Sequence, residues 1–145
     1  MVPTRLGWSI IKRITLDNYR KDTYYPRIVS AVERILARGR EVRPIDLFIE
    51  MGLLTRAAAE DWRAGRTPYL ERVIHCNLAK AGRILRILRL HARDLGLAPA
   101  VVPYRHKRKR LRFSNTGKAG VEEAYARHYR VPGGRPEQGR AGRAP

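Results

Sequence analysis

Residues 68–95 read PYLERVIHCNLAKAGRILRILRLHARDL, the longest stretch of helical periodicity in the chain. Its apolar side chains recur at the spacing of one helical face. They are Leu70, Val73, Ile74, Leu78, Ala81, Leu85, Leu88, Ala92 and Leu95. Thr67 and Pro68 give a start signal and Gly96 a stop, so the stretch predicts the longest helix of the protein. Gly82 costs about 1 kcal/mol relative to Ala inside a helix, so a kink or a split into two helices stays open.

Three shorter helices are predicted upstream from periodicity and from proline and glycine punctuation. They cover Pro26–Arg38, Ile45–Met51 and Arg56–Ala64. Pro26 and Pro44 suit first turns, and the Thr55 hydroxyl can cap the third helix. Together with residues 68–95, these segments predict a mainly α fold, a small helical bundle.

The chain downstream of Gly96 predicts a change of structure. Prolines and valines in residues 98–103, followed by Leu111 and Phe113 alternating with polar residues, predict a short extended or β element near residues 100–114. A last helix should then carry Val121, Tyr125 and His128 or Tyr129 on one face.

Three regions are expected in total. Residues 1–22 have no clear period and predict an N-terminal arm or irregular element. Residues 23–129 are expected to form the helical domain. Residues 130–145 are rich in glycine and proline with almost nothing apolar, which predicts a disordered basic tail.

The charge balance points to a polyanionic partner. The chain has 145 residues with 31 Lys and Arg against 13 Asp and Glu, a formal net charge of +18. A hydrophobic fraction of 43% is enough for a folded body, so the cations should crowd its surface and repel one another. DNA, RNA and anionic lipid are the usual polyanions that relieve such a surface.

The densest basic run is Arg105–Arg112, in which six of eight residues are cations at neutral pH. Such a run is typical of phosphate binding, and a solvated loop that touches nothing is the alternative. Tyr104 and Phe113 flank the run. Their rings could stack on unpaired bases or could anchor the segment to the core.

A second basic array lies on the predicted long helix. Its members Arg83, Arg86, Arg89 and Arg93 cover an arc of roughly 120° at helical spacing. Between Lys80 and Arg112 there are eleven Lys or Arg and one acid. An ordinary polar helix face mixes both signs, so this imbalance favours a continuous electropositive face over a merely solvated one.

The segment Pro44–Ala64 resembles the helix-turn-helix of DNA-binding domains, with a short helix, a turn at Gly52 and a capped second helix. The resemblance covers about twenty residues and implies that the second helix faces the major groove. Phe48 departs from it, because a small residue usually stands there, and an ordinary helical hairpin is the alternative. Its candidate nucleic-acid contacts are Arg56, Arg63 and Arg66.

No catalytic residue, metal site or cofactor is predicted. His75 and Cys76 are neighbours whose side chains diverge by about 100° on a helix. Glu123 and His128 stand five apart rather than the three or four that brings ligands together. Glycine-rich phosphate loops are also missing from the sequence.

The lone Cys76 fits a reducing compartment, and neither a signal peptide nor a run of eighteen apolar residues is found. We therefore expect a cytoplasmic protein.

The sequence thus predicts a non-enzymatic protein that binds nucleic acid, either DNA or RNA, and leaves self-association open. The alternatives are attachment to anionic membrane through an amphipathic basic helix over 78–95, and a small nucleic-acid-processing enzyme. The candidate phosphate contacts are Arg83, Arg86, Arg89, Arg93, Arg105, Lys107, Arg108, Lys109, Arg110, Arg112, Arg56, Arg63 and Arg66.

Overall fold

The structure, a computed structural model, describes Thr15 and residues 18–133. Within this part there are five α-helices, a three-stranded antiparallel sheet and a separate two-stranded hairpin, so the expected helical content is confirmed but the fold is mixed α/β rather than a helical bundle. In chain order the elements are a 3-10 turn (Tyr19–Lys21), α1 (Tyr25–Arg38), β1 (Glu41–Val42), α2 (Pro44–Glu50), α3 (Arg56–Arg63), a second 3-10 turn (Leu70–Val73), α4 (Leu78–Asp94), β2 (Ala98–Val101), β3 (Arg105–His106), β4 (Lys109–Arg110), α5 (Ala119–Ala126) and β5 (Arg127–Arg130).

The first three helices begin and end within one residue of their predicted limits. The Thr55 hydroxyl accepts a hydrogen bond from the Ala58 N–H at 3.1 Å and so caps α3. Gly52 and Gly65 follow α2 and α3 with φ of 76° and 78°, a region that glycine adopts at no steric cost.

The predicted long helix over 68–95 is wrong in its first part. The Leu70 N–H donates to the distant carbonyl of Arg112 at 3.2 Å, so the backbone there is not available to a regular helix. Helix α4 begins only after Asn77, whose side chain accepts from the Lys80 N–H at 2.8 Å. Gly82 lies inside α4, and the helix does not split there.

The predicted last helix was also too long, because residues 127–130 form strand β5. This strand lies in the centre of the three-stranded sheet, in the order β1-β5-β2. Tyr129 stands opposite Val42 on one side and Pro99 on the other. Strand β2 pairs with all of residues 127–130 and β1 with residues 129 and 130, so the backbone groups of this segment are bonded across the sheet instead of along a helix.

The core is formed by the inner face of α4 together with α1, α2, α5 and the sheet. Ile84, Ile87 and Leu88 are almost wholly buried on α4. Phe48 of α2, where the helix-turn-helix pattern prefers a small residue, stacks on Tyr125 of α5 with ring centroids 6.0 Å apart. Within the described residues, no helix combines the length and apolarity needed to cross a bilayer.

Both ends of the described chain are tied to this body. Tyr19, in the predicted N-terminal arm, is buried with its ring 5.7 Å from that of Tyr25. At the other end the Val131 N–H donates to the Arg40 carbonyl at 2.8 Å, one residue beyond the end of β5. Most of the predicted arm and tail, residues 1–14, 16–17 and 134–145, lies outside the described residues.

Candidate nucleic-acid interface

The basic run forms a β-hairpin, which we call the basic hairpin and define as residues 105–110. Strands β3 and β4 pair antiparallel, with Arg105 opposite Arg110 and His106 opposite Lys109. Lys107 and Arg108 form the two-residue turn. The hairpin therefore confirms the extended element expected in this part of the chain.

The base of the basic hairpin is fixed by hydrogen bonds to distant elements. The Trp62 indole N–H donates to the Arg112 carbonyl at 2.7 Å, and the Glu71 N–H donates to the Phe113 carbonyl at 2.9 Å. Trp62 is fully buried at the end of α3. A rigid scaffold at this position sets where the hairpin points.

A carboxylate from α5 completes this anchor. Glu122 accepts hydrogen bonds from the backbone N–H groups of Phe113 and Ser114, at 3.0 and 2.7 Å, and from the Ser114 hydroxyl at 2.5 Å. Glu71 likewise accepts from the Tyr125 hydroxyl at 2.8 Å. Glu122 and Glu71 are thus held at the base of the hairpin by structural hydrogen bonds, and Glu122 and Glu123 line the same groove as Arg110.

The two aromatic rings that flank the basic run are anchors. Tyr104 and Phe113 are buried against Trp62, with ring centroids 5.5 and 4.9 Å from the indole. Burial raises the pKa of the Tyr104 hydroxyl to about 12. Neither ring can stack on a base in this arrangement.

The cations of the basic hairpin are exposed and unpaired. Within the described part of the chain, these five side chains make no ion pair or hydrogen bond. They are Arg105, Lys107, Arg108, Lys109 and Arg110.

Two features of the hairpin are unfavourable in the free protein. Arg105 and Arg110 stand directly opposite each other, and like charges in that position destabilise a strand pair by about 0.2–1 kcal/mol. Lys107 has φ of 58°, a left-handed conformation that costs a non-glycine residue about 1–2 kcal/mol. Strained and repelling groups of this kind cluster at functional sites.

The end of α3 lies beside the hairpin. A Cβ built on Gly65 would come within 3.1 Å of the His106 ring, and the Arg63 guanidinium lies over the Tyr104 ring at 5.2 Å. Arg66 pairs with Asp61 at 2.8 Å on the surface. The structure therefore brings the predicted contacts Arg63 and Arg66 next to the basic hairpin, although some forty residues separate them in sequence.

The predicted array on α4 divides into three exposed arginines and the half-buried Arg83. Arg86, Arg89 and Arg93 lie on the exposed side of α4, and we call them the α4 stripe. Arg83 instead pairs with the carboxylate of Asp22, whose side chain is fully buried. Removing the Arg83 charge would leave the buried carboxylate of Asp22 without a counter-charge, so Arg83 stabilises the fold.

The opposite side of α4 is buried in the core, including the residues on which the membrane alternative depends. Leu85, Leu88 and Ala92 are 7%, 1% and 1% exposed. This apolar face is therefore unavailable to lipid in the folded chain.

A groove of about 410 Å³ between α4 and α5 adds two cations that the sequence did not single out. Lys118 and Arg127 line it together with Arg86 and Arg89. A Cβ built on the neighbouring Gly117 would lie 3.7 Å from the Arg112 Nε. Lys118 and Arg127 therefore lie beside the α4 stripe, and Arg127 also pairs with Glu123 at 3.5 Å.

No family model, curated protein or solved structure matches the chain.

A buried polar relay lies on the inner side of the hairpin base. The Tyr104 hydroxyl is 2.7 Å from Nε2 of His128, and Nδ1 of His128 is 2.8 Å from Oε2 of Glu41. With Glu41 ionised, Nδ1 donates to the carboxylate and Nε2 accepts from the tyrosine. Burial lowers the pKa of His128. For Glu41 burial acts upward, but the hydrogen bond from His128 and the charges of Arg43 and Arg130 lower the pKa overall.

The groups considered for catalysis have other partners. The enzyme alternative would place His106 or His128 beside Glu122 or Glu123, whereas His128 bonds to Glu41 and Glu122 accepts from backbone amides. Among the described residues, no three His, Cys, Asp or Glu side chains are grouped as metal ligands.

Proposed function

We propose that the chain binds nucleic acid through phosphate contacts made by the basic hairpin and the α4 stripe. The observation that supports this function is a rigidly anchored hairpin whose five exposed cations have no ion pair within the described residues. A solvated loop would have no need of the fixed base that Trp62 and Glu122 supply.

Electrostatic relief supports the same function. The free hairpin holds Arg105 opposite Arg110 and a lysine at a left-handed turn position, both at a cost in free energy. A polyanion placed against the hairpin turns the repulsion among these cations into attraction. Because condensed counterions are released at each phosphate contact, the resulting affinity depends steeply on salt.

The pair α2 and α3 fits the same ligand. We propose that the turn at Gly52 and the Thr55 cap belong to a helix-turn-helix rather than an ordinary helical hairpin, because α3 ends against the basic hairpin. The exposed face of α3 has Glu60 and Asp61 as well as Arg56 and Arg63. In this proposal α3 faces the nucleic acid while the hairpin supplies most of the phosphate contacts.

A titration over a salt series tests the proposal. The full chain is titrated with labelled duplex DNA, with a structured RNA of similar length and with vesicles of anionic lipid. We expect the chain to bind nucleic acid. The logarithm of its binding constant should fall linearly with the logarithm of the salt concentration, with a slope of about 0.9 per phosphate contact on duplex DNA. Binding to vesicles without binding to either nucleic acid would favour the membrane alternative instead.

A further inference from the structure

The cations of the basic hairpin are distributed over both of its faces. Residues opposite each other in an antiparallel pair share a face, so Arg105 and Arg110 lie on one face and Lys109 lies on the other with His106. Lys107 and Arg108 occupy the tip. A hairpin that contacts one phosphate backbone needs cations on one face only. Cations on both faces fit a cleft with phosphates along both of its walls.

The dimensions of the hairpin fit one such cleft. The major groove of B-form DNA is about 12 Å wide and admits a two-stranded β-ribbon, whereas the minor groove is about 6 Å wide. The A-form major groove of duplex RNA is deep and too narrow for side chains to read. His106 lies against Gly65, so on its face the exposed Lys109 is the cation that can meet a phosphate, and the turn residues Lys107 and Arg108 lie beyond this contact, where the tip can enter a groove.

The described residues offer no platform for unpaired bases. Proteins that bind single strands stack the bases on exposed aromatic rings. In residues 18–133 every Phe, Tyr and Trp ring is buried or partly buried, and Tyr69 and Tyr24 are further covered by Arg112 and Arg83. A ligand held by phosphates alone, with its bases stacked inside a duplex, agrees with this surface.

We infer that the ligand is duplex DNA and that the basic hairpin enters its major groove, with phosphates of both strands against its two faces. This inference rests on the proposed function and names the ligand of the same site.

Two hairpin variants test whether both faces are used. Arg105→Ser with Arg110→Ser removes the cations of one face, and Lys109→Ser removes that of the other. On duplex DNA the salt slope should fall by about 1.8 for the first variant and about 0.9 for the second. The control for net charge is Arg34→Ser with Arg38→Ser. This variant removes two exposed cations that pair with Glu50, away from the basic hairpin in sequence. An unchanged slope in either face variant would overturn binding between two backbones.

Competition identifies the duplex and the groove. Duplex DNA, duplex RNA and single-stranded DNA of one length compete for the full chain, and complexes with duplex DNA are challenged with methyl green in the major groove or netropsin in the minor groove. We expect duplex DNA to compete best, with a slope of about 4.5 from the five hairpin contacts plus about 0.9 for each contact of the α4 stripe, and methyl green alone to displace the protein.

The outcomes separate the two claims. Equal or stronger binding to duplex RNA or to the single strand, or displacement by netropsin alone, overturns this inference and leaves the proposed function intact. Failure to bind any nucleic acid overturns both.

Discussion

The strongest quantitative prediction concerns the removal of four cations from the turn and strand β4 of the basic hairpin. Changing Lys107, Arg108, Lys109 and Arg110 together to Ser should flatten the salt slope on duplex DNA by about 3.6, at about 0.9 for each lost phosphate contact. Over a fourfold rise in salt, the wild type would then lose about 150 times more affinity than the variant. None of the four side chains has a partner among the described residues, so no structural bond is lost with them.

The control must remove the same charge from another surface. Lys21, Arg34, Arg38 and Arg40 are exposed, and two of them pair with Glu50. Their replacement by Ser lowers the net charge by the same four units, but should change the slope by less than one contact, about 0.9.

The assay is fluorescence anisotropy from about 50 to about 200 mM salt, the range over which phosphate contacts alter affinity most visibly. Circular dichroism checks the fold of each variant, since exposed substitutions of this kind usually change stability by no more than about 0.5 kcal/mol each. If the two quadruple variants flatten the salt slope equally, the effect is due to net charge and the reasoning about the hairpin is refuted.

Three further predictions follow from the anchor, the turn and the buried histidines. Glu122→Ala should lower the free energy of unfolding by about 2–3 kcal/mol, because two backbone amides lose their acceptor. Glu123→Ala, which removes an exposed pair with Arg127, should lower it by about 1 kcal/mol or less. Equal losses in urea denaturation would contradict the anchor. Lys107→Gly should raise the free energy of unfolding by about 0.5–1 kcal/mol by relieving the left-handed turn, while lowering the salt slope by about 0.9; a destabilised variant would show that the turn is not strained. Burial lowers the pKa of His91 and His128, so the unfolded chain takes up protons at a higher pH than the folded chain. The free energy of unfolding should therefore fall as the pH drops below about 6.5. A melting temperature that stays constant or rises from about pH 7 to about pH 5 would contradict this.

The helices were the part of the fold most accessible from sequence, because their signals are local. The spacing of apolar residues in α1 and the Thr55 cap of α3 depend on neighbours within a few positions. The same reasoning failed at residues 68–77, where apolar spacing also suits a helix. There the decisive bond joins Leu70 to Arg112, and no local pattern reveals it. Asn77 was a usable cap signal that the longer periodicity obscured.

Strand β5 was missed for a similar reason. Residues 127–130 continue an amphipathic pattern, but their partners Val42 and Pro99 are distant in sequence. A short strand with two long-range partners gives little signal of its own.

The candidate site was predictable in composition but not in geometry. The run around Lys107 was visible as a charge cluster, and the structure shows it as an anchored hairpin. The pairing of Arg83 with Asp22, sixty-one positions away, could not be seen in the sequence. The same holds for Lys118 and Arg127, which join the basic surface only because α5 packs beside α4.

The most direct test of the central claim is a titration of the ¹⁵N-labelled chain with a short DNA duplex, followed by amide chemical shifts. The account predicts that the largest changes fall on residues 105–110 and Gly65, followed by the α4 stripe, while the amides of α1 change little. Changes confined to α1 and α2, or spread evenly over the surface, would contradict a binding site at the basic hairpin.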